Sequence, residues 1–273
     1  MIGVGNLSVG GSGKSPMVMY LADYLAKNFR TGVLSRGYGR KTKGYGIVNY
    51  DSNFKMVGDE AMQLFERFKN RFVIGVCEDR VFGAKKIIED MDLDVLLLDD
   101  SYQHRRIKPG FNILLTDYND PYFKDFVLPA GNLRESRRGA KRADIIVVTK
   151  CPENITEEKK QFYISRIKPR YYQKVFFSTI NYDEEIFCFD PKLKLPDNNM
   201  SYYDILLITG IANPKTFVEE VKRYSSNVKH LRFKDHHSFT TEDISLIKKE
   251  YEKLGEYKLI LTTEKDYVRL KGF

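Results

Sequence analysis

Eight consecutive residues, Ser8-Val9-Gly10-Gly11-Ser12-Gly13-Lys14-Ser15, have the types and spacing that bind polyphosphate. The glycines let successive backbone N–H groups curl around phosphate oxygens. Lys14 places a cation on the β- and γ-phosphates, and the Ser15 hydroxyl can ligate Mg2+. The run lies between an apolar stretch, residues 1–7, and a segment of helical spacing, residues 14–28. That strand–loop–helix setting is what a phosphate loop requires, because the positive helix N-terminus also faces the anion. Ser8 stands where the strict pattern has glycine. The bland alternative is a glycine-rich turn that binds nothing, and the flanking strand and helix argue against it.

A second chemical pair follows at Asp99-Asp100, closing the apolar run 95–98. A strand-end carboxylate beside a phosphate loop holds Mg2+ directly or through water. Its alternative is an aspartate that only caps a turn. Guanine specificity needs further signals that are missing. Asp99-Asp100-Ser101-Tyr102-Gln103 contains no glycine, and Thr149-Lys150-Cys151-Pro152 ends in proline where a carboxylate would accept the guanine protons.

These groups must be positioned by regular elements. Apolar runs predict strands over 1–7, 32–34, 72–77, 95–98, 111–116 and 145–149, alternating with helical patterns over 14–28, 59–68 and 78–91. Continuous apolar strands with intervening helices indicate an α/β P-loop NTPase core with a mostly parallel sheet. After Pro152 come a helix near 156–167 and two short strands, 175–180 and 186–189. Pro191, Pro196 and Asp197-Asn198-Asn199 mark a break. Strands 205–209, 228–233 and 259–261 then alternate with helices 214–224 and 240–254. The expected organisation is a P-loop domain over 1–177, linker strands over 178–198 and a smaller C-terminal α/β domain over 199–273.

The chain has 273 residues, 42% of them apolar, with a formal charge of +8 and a pI of about 9.1. A basic surface seeks nucleic acid, phosphorylated substrates or acidic lipid headgroups. Cys77, Cys151 and Cys188 form no Cys-x-x-Cys pair, so they read as reduced thiols. No apolar run approaches the length of about 18 residues that spans a bilayer, and no signal peptide is visible, so the machinery is expected to face the cytoplasm.

Several longer stretches carry a resemblance. They are Val4 through Lys14, Leu34-Ser35-Arg36-Gly37-Tyr38, Gly58-Asp59-Glu60, Glu78-Asp79-Arg80, Leu98 through Arg105, and Leu128-Pro129-Ala130-Gly131-Asn132-Leu133-Arg134-Glu135. Phe233-Lys234-Asp235-His236 and Thr262-Thr263-Glu264-Lys265-Asp266 complete the set. In order and over nearly the whole chain, they resemble the tetraacyldisaccharide 4'-kinases, the lipid A 4'-kinases of Gram-negative bacteria. The resemblance implies ATP and Mg2+ as cofactors and the 4'-hydroxyl of a tetraacyldisaccharide 1-phosphate as acceptor. It implies a peripheral enzyme on the anionic cytoplasmic face of the inner membrane, with no nucleic-acid partner.

The same resemblance implies roles. Lys14 and the loop from Ser8 to Ser15 would hold ATP, while Ser15, Asp100 and Gln103, with Asp99 beside them, would order Mg2+. Asp59 would take the acceptor proton, paired with His236 across a cleft that closes over ATP. Asp59 also reads as a helix N-cap, His237 is adjacent to His236, and His104 either serves the site or packs beneath the strand. Of the many basic loop residues, Arg36, Arg80 and Arg134 are expected to meet the substrate and the rest to be solvated. Ala61, Ser15 and Ser101-Tyr102 depart from the commonest family residues without removing a needed group. The family usually carries a segment before the first strand and continues past the Thr-Thr-Glu-Lys-Asp stretch, so this chain reads as a shortened member. Two rival readings are another P-loop enzyme or GTPase-like switch, and a basic nucleic-acid-binding module that uses ATP.

Overall fold

The computed structural model describes residues 1–181, 200–271 and 273. The chain divides into two compact units, Met1–Asn181 and Tyr182–Phe273. The first is built on an eight-stranded sheet. Its strands are β1 (Ile2–Asn6), β2 (Thr31–Ser35), β3 (Gly46–Ile47), β4 (Val73–Val76), β5 (Val95–Asp99), β6 (Phe111–Asp117), β7 (Ile145–Thr149) and β8 (Lys174–Phe177). They run in the order β3-β4-β2-β5-β1-β6-β7-β8, parallel throughout except that β3 pairs antiparallel with β4.

The apolar runs explain this. Val95-Leu96-Leu97-Leu98 and Ile145-Ile146-Val147-Val148 have side chains for both faces, and both faces are covered. Helix α1 (Lys14–Leu25) packs on β1, β2 and β5. Between β3 and β4 come α2 (Phe54–Val57) and α3 (Asp59–Phe68), and α4 (Arg80–Met91) then packs on β2 and β4. Helix α5 (Glu157–Ile167) sends Tyr163 and Ile167 into a cluster with Leu114, Ile146 and Val148.

The second unit has a parallel three-stranded sheet: β9 (Asp204–Thr209) in the centre, β10 (Val228–Arg232) and β11 (Lys258–Thr262) beside it. It also contains α6 (Lys215–Tyr224), α7 (Thr241–Glu252) and α8 (Glu264–Leu270). The two faces of β9 follow the period of two. Ile205 and Leu207 join Val221 of α6, while Leu206 and Ile208 join Ile247 of α7.

The sequence-predicted elements recur with ends moved by a few residues, and the strand expected at 175–180 is the edge strand β8. The strand expected at 186–189, the break around Pro191 and Pro196, and Cys188 lie outside the described residues. Short elements β3 and α2 and the C-terminal α8 were not anticipated. For α8 a signal existed, since the Thr263 hydroxyl accepts from Asp266 N as an N-cap.

One correction concerns Asp59. The N-cap of α3 is Gly58, and Asp59 is the first helical residue, 8% exposed. Gly58 has φ 89°, and a Cβ there would meet Tyr38 O at 2.9 Å and Gly37 Cα at 3.1 Å. Both contacts are backbone, so neither can swing away. Gly58→Ala is therefore expected to destabilise the protein by about 1–3 kcal/mol, read as a lower denaturant midpoint, whereas an unchanged midpoint would mean the 37–38 loop yields freely.

Candidate active site

The phosphate loop leaves β1 at Asn6 and enters α1 at Lys14. Its first part is tied back. Ser8 bridges Leu133, and Val9 N donates to Asn132 O at 2.7 Å, so that N–H is committed. The open part is Gly10 to Ser15, within which Ser12 N donates to Gly10 O at 3.1 Å. Gly10 and Gly13 have φ of 103° and 84°, which only glycine adopts without strain. A Cβ on Gly10 or Gly11 would meet nothing within 4 Å, so the loop presents open space where a phosphate fits. The end of β7 braces the loop. Thr149 Oγ1 donates to Ser12 O at 2.9 Å, and Lys150 Nζ reaches both Gly11 O and Asp117. The stretch that imitates a guanine motif thus holds the phosphate loop.

A charge cluster fills the space beside it. Register pairs Val4 with Asp99, so the end of β5 lies next to the root of the loop. Asp100 turns off the strand at φ 44°. Arg134 grips it with two bonds, Nη1 to Oδ2 at 3.1 Å and Nη2 to Oδ1 at 2.8 Å, while Lys14 Nζ lies 3.9 Å from Oδ1. Asn6 is the hub: its Oδ1 accepts from Lys14 Nζ at 3.3 Å and from Arg134 Nη2. Sequence reasoning missed Asn6. The signal was a polar residue ending an apolar strand, where it is 1% exposed.

The two carboxylates titrate apart. Burial pushes Asp99 up to about 6, helped by the neighbouring Asp100 charge. Asp100 is also penalised by burial, but the Arg134 bonds and the Lys14 charge outweigh this and hold its carboxyl low. Burial pulls the Lys14 ammonium down, against the opposing pull of Asp100. A hard cation fits this donor set. Among the described residues Asp99 Oδ1 and Gln103 Oε1 are buried oxygens with no hydrogen-bond partner, Asp100 follows Asp99 at the end of β5, and Ser15 follows Lys14 in α1. Mg2+ prefers one or two carboxylates plus phosphate oxygens and water.

Arg80 requires correction. It is 2% exposed, and its guanidinium donates to Cys77 O and to Asp99 O. It braces the strand from behind and offers no surface to a sugar phosphate. Arg134, also expected to meet substrate, is engaged with Asp100 and Asn6. Arg36 is exposed, and its charge is felt by both Arg80 and His104. Gln103 uses its amide N–H to hold Asn6 O at 2.8 Å and Glu135 at 3.1 Å, which aims Oε1 away from them. Glu135, not singled out beforehand, also collects Arg105 and Arg142.

In the second unit, His236 lies past β10 in the left-handed region at φ 55°. Its N–H donates to Gly210 O, and its ring nitrogens lie 3.1 Å from Lys265 Nζ and 3.4 Å from Arg269 Nη2. Arg269 pairs with the fully buried Asp266, whose other oxygen accepts from Gly210 N and Thr263. The Thr-Thr-Glu-Lys-Asp stretch therefore builds the seat of His236. His237 instead bonds Asp243 at 2.8 Å.

Raising the folded-state pKa of a carboxyl means the folded protein holds the proton more tightly than the unfolded chain. Stability is then lost as pH climbs from about 4 to about 6 and stays lost above. Asp99→Asn is expected to stabilise the ligand-free protein above pH 6 by on the order of 2–3 kcal/mol, with the gain shrinking toward pH 4. A thermal melt series that shows no gain at pH 8 would contradict this. Gly11→Ala is expected to leave the melt within about 0.5 kcal/mol of wild type yet weaken ATP binding, measured by calorimetry, because its methyl takes the open space.

A sequence model described as Tetraacyldisaccharide-1-P 4'-kinase matches residues 1–273. The Tetraacyldisaccharide 4'-kinase of Flavobacterium johnsoniae is 44% identical over 272 residues, covering 99% of this chain and 77% of that protein. Its Bacteroides thetaiotaomicron counterpart is 42% identical over 284 residues, covering 99% and 74%. A crystal structure of LpxK from Aquifex aeolicus in complex with ATP superposes with a TM-score of 0.71 at 32% identity, covering 100% of this chain and 79% of that one. By residues, arrangement and similarity along the whole of its 273 residues, the chain belongs to the tetraacyldisaccharide-1-P 4'-kinase family.

Proposed function

We propose that the chain transfers the γ-phosphoryl group of ATP to the 4'-hydroxyl of a tetraacyldisaccharide 1-phosphate, a step of lipid A biosynthesis. The carrying observation is the convergence of Lys14, Asp99 and Asp100 beside a loop whose Gly10 and Gly11 have no heavy atom within 4 Å of where a Cβ would lie. Phosphoryl transfer passes through a loose transition state, so positioning and charge neutralisation do most of the work.

The loop N–H groups from Gly10 to Ser15 and the Lys14 ammonium would hold the β- and γ-phosphates. Ser15, Asp99, Asp100 and Gln103 would hold Mg2+, which would offset the charge of the phosphates. Arg134 is poised to leave Asp100 for a phosphate oxygen when nucleotide arrives, since guanidinium serves either anion with the same fork. Asp59 would take the proton of the attacking hydroxyl, and His236 would act as the second acid–base group. Arg36 remains the candidate for the substrate's 1-phosphate. A lipid acceptor would place the enzyme on the cytoplasmic face of the inner membrane. No helix among the described residues is long and apolar enough to cross a membrane, which suits a peripheral attachment.

Transfer from labelled ATP to the disaccharide 1-phosphate in detergent micelles tests this. Lys14→Ala is expected to abolish transfer, and Asp59→Ala and His236→Ala each to lower kcat by at least about 100-fold. Wild-type turnover in either of the last two removes that residue from the chemistry. Labelling of no lipid by the wild-type chain would contradict the function.

A further inference from the structure

Five consecutive apolar residues, Phe126-Val127-Leu128-Pro129-Ala130, are all exposed. The three large ones are 64%, 43% and 51% exposed. Single exposed apolar side chains are ordinary, but an unbroken run of five is an error in a soluble surface unless something covers it. This run is not a loose segment. Asp125 accepts from Phe126 N at 2.7 Å and from Asn132 N at 3.0 Å, closing the base of the loop. Leu133 N donates to Phe126 O and Leu128 N donates to Leu133 O. At Gly131 a Cβ would lie 2.2 Å from Asp125 Oδ1 and 2.5 Å from Phe126 O, so only glycine lets the turn close. Backbone bonds and the Asp125 carboxylate thus fix the loop's shape.

Its base is joined to the phosphate loop through Val9 N to Asn132 O and Arg134 N to Leu7 O, each 2.7 Å. Its flank is cationic. Residues 124–142 contain six cationic side chains and two acidic ones. Arg137 donates to Asp125 O and sets its guanidinium 5.3 Å from the Phe126 ring centroid. Lys124 and Arg138 are exposed beside it. An apolar tip on a rigid stem with a basic flank matches a bilayer interface, where the tip enters the acyl region and the flank meets anionic headgroups.

We infer that the 126–130 loop is a membrane-docking wedge that seats the chain on an anionic lipid bilayer beside its phosphate loop. This rests on the lipid-substrate reading above and names the surface that would bring the two together. A headgroup presented at that interface needs no extraction far into water.

The binding assay uses the full chain and vesicles of phosphatidylethanolamine and phosphatidylglycerol, with neither ATP nor disaccharide in the vesicle mixture. A failure of the kinase reading therefore leaves its outcome untouched. The triple variant Phe126→Ser, Val127→Ser, Leu128→Ser is expected to sediment with vesicles at least about tenfold more weakly than wild type, with ATP affinity unchanged as the check on folding. The chain has no tryptophan, so Phe126→Trp supplies a single indole. Its emission is expected to shift blue on adding vesicles. Wild-type partitioning of the triple variant, an indole that stays in water, or a wild-type chain that ignores the vesicles would each overturn the inference. Unchanged partitioning with a raised KM for disaccharide in micelles would also overturn it, and would assign the loop to the substrate's own acyl chains.

Discussion

Two adjacent carboxylates at the end of a buried strand are the constraint around which the first unit is arranged. Asp99 is buried and Asp100 beside it is partly exposed, and where burial withholds water one uncompensated charge is costly and a like-charged neighbour makes it worse. Arg80 answers from behind, through the Asp99 carbonyl and the charge of both carboxylates. Lys14 and Arg134 answer from the front. The result is unequal: Asp100 is held ionised, and Asp99 keeps a pKa near 6 with one oxygen unpartnered. A site of this kind is under-compensated without ligand. A nucleotide's phosphates with a divalent cation would let Lys14 and Arg134 exchange one anion for another while the carboxylates gain a cation.

The parallel sheet makes this geometry repeatable. Every strand from β1 to β7 except β3 delivers its C-terminal end to the same edge, and chain reversals there carry the chemistry. Three non-glycine residues in the left-handed region lie just past strand ends: Asp100 after β5, Lys150 after β7 and His236 after β10. Each is held by tertiary bonds. Asp100 is gripped by Arg134, Lys150 reaches Gly11 and Asp117, and the His236 N–H meets Gly210 O. Local backbone cost at such positions is sustained where the surrounding structure over-determines them. The same edge anchors the exposed 126–130 loop, so phosphate binding and the apolar tip share one stem.

Much of this was legible in the sequence. Continuous apolar runs located the strands, and the Gly10 to Ser15 pattern located the loop, because backbone conformation and spacing are local properties. Enclosure is not local. Glu78-Asp79-Arg80 reads as the start of a helix, with Arg80 expected to meet the substrate. Yet Glu78 binds Arg40, Asp79 caps α4, and Arg80 is sealed under β5. The hold of Arg134 on Asp100, 34 residues away, is likewise invisible along the chain. Asn6 looked like a strand end, and only the fold shows that Lys14 and Arg134 converge on it. Asp59 matched a helix cap by composition, but the cap position falls one residue earlier at a glycine that must approach the 37–38 backbone.

Calorimetric titration of ATP with and without Mg2+, in wild type and Asp100→Asn, tests the charge-exchange claim most directly. Wild type is expected to bind ATP more tightly with Mg2+ by at least about tenfold, and Asp100→Asn to lose most of that gain while binding Mg2+-free ATP at least as tightly as wild type, because Lys14 and Arg134 are then free of the carboxylate. An equal Mg2+ gain in both proteins would contradict the claim that the strand-end carboxylate holds the cation.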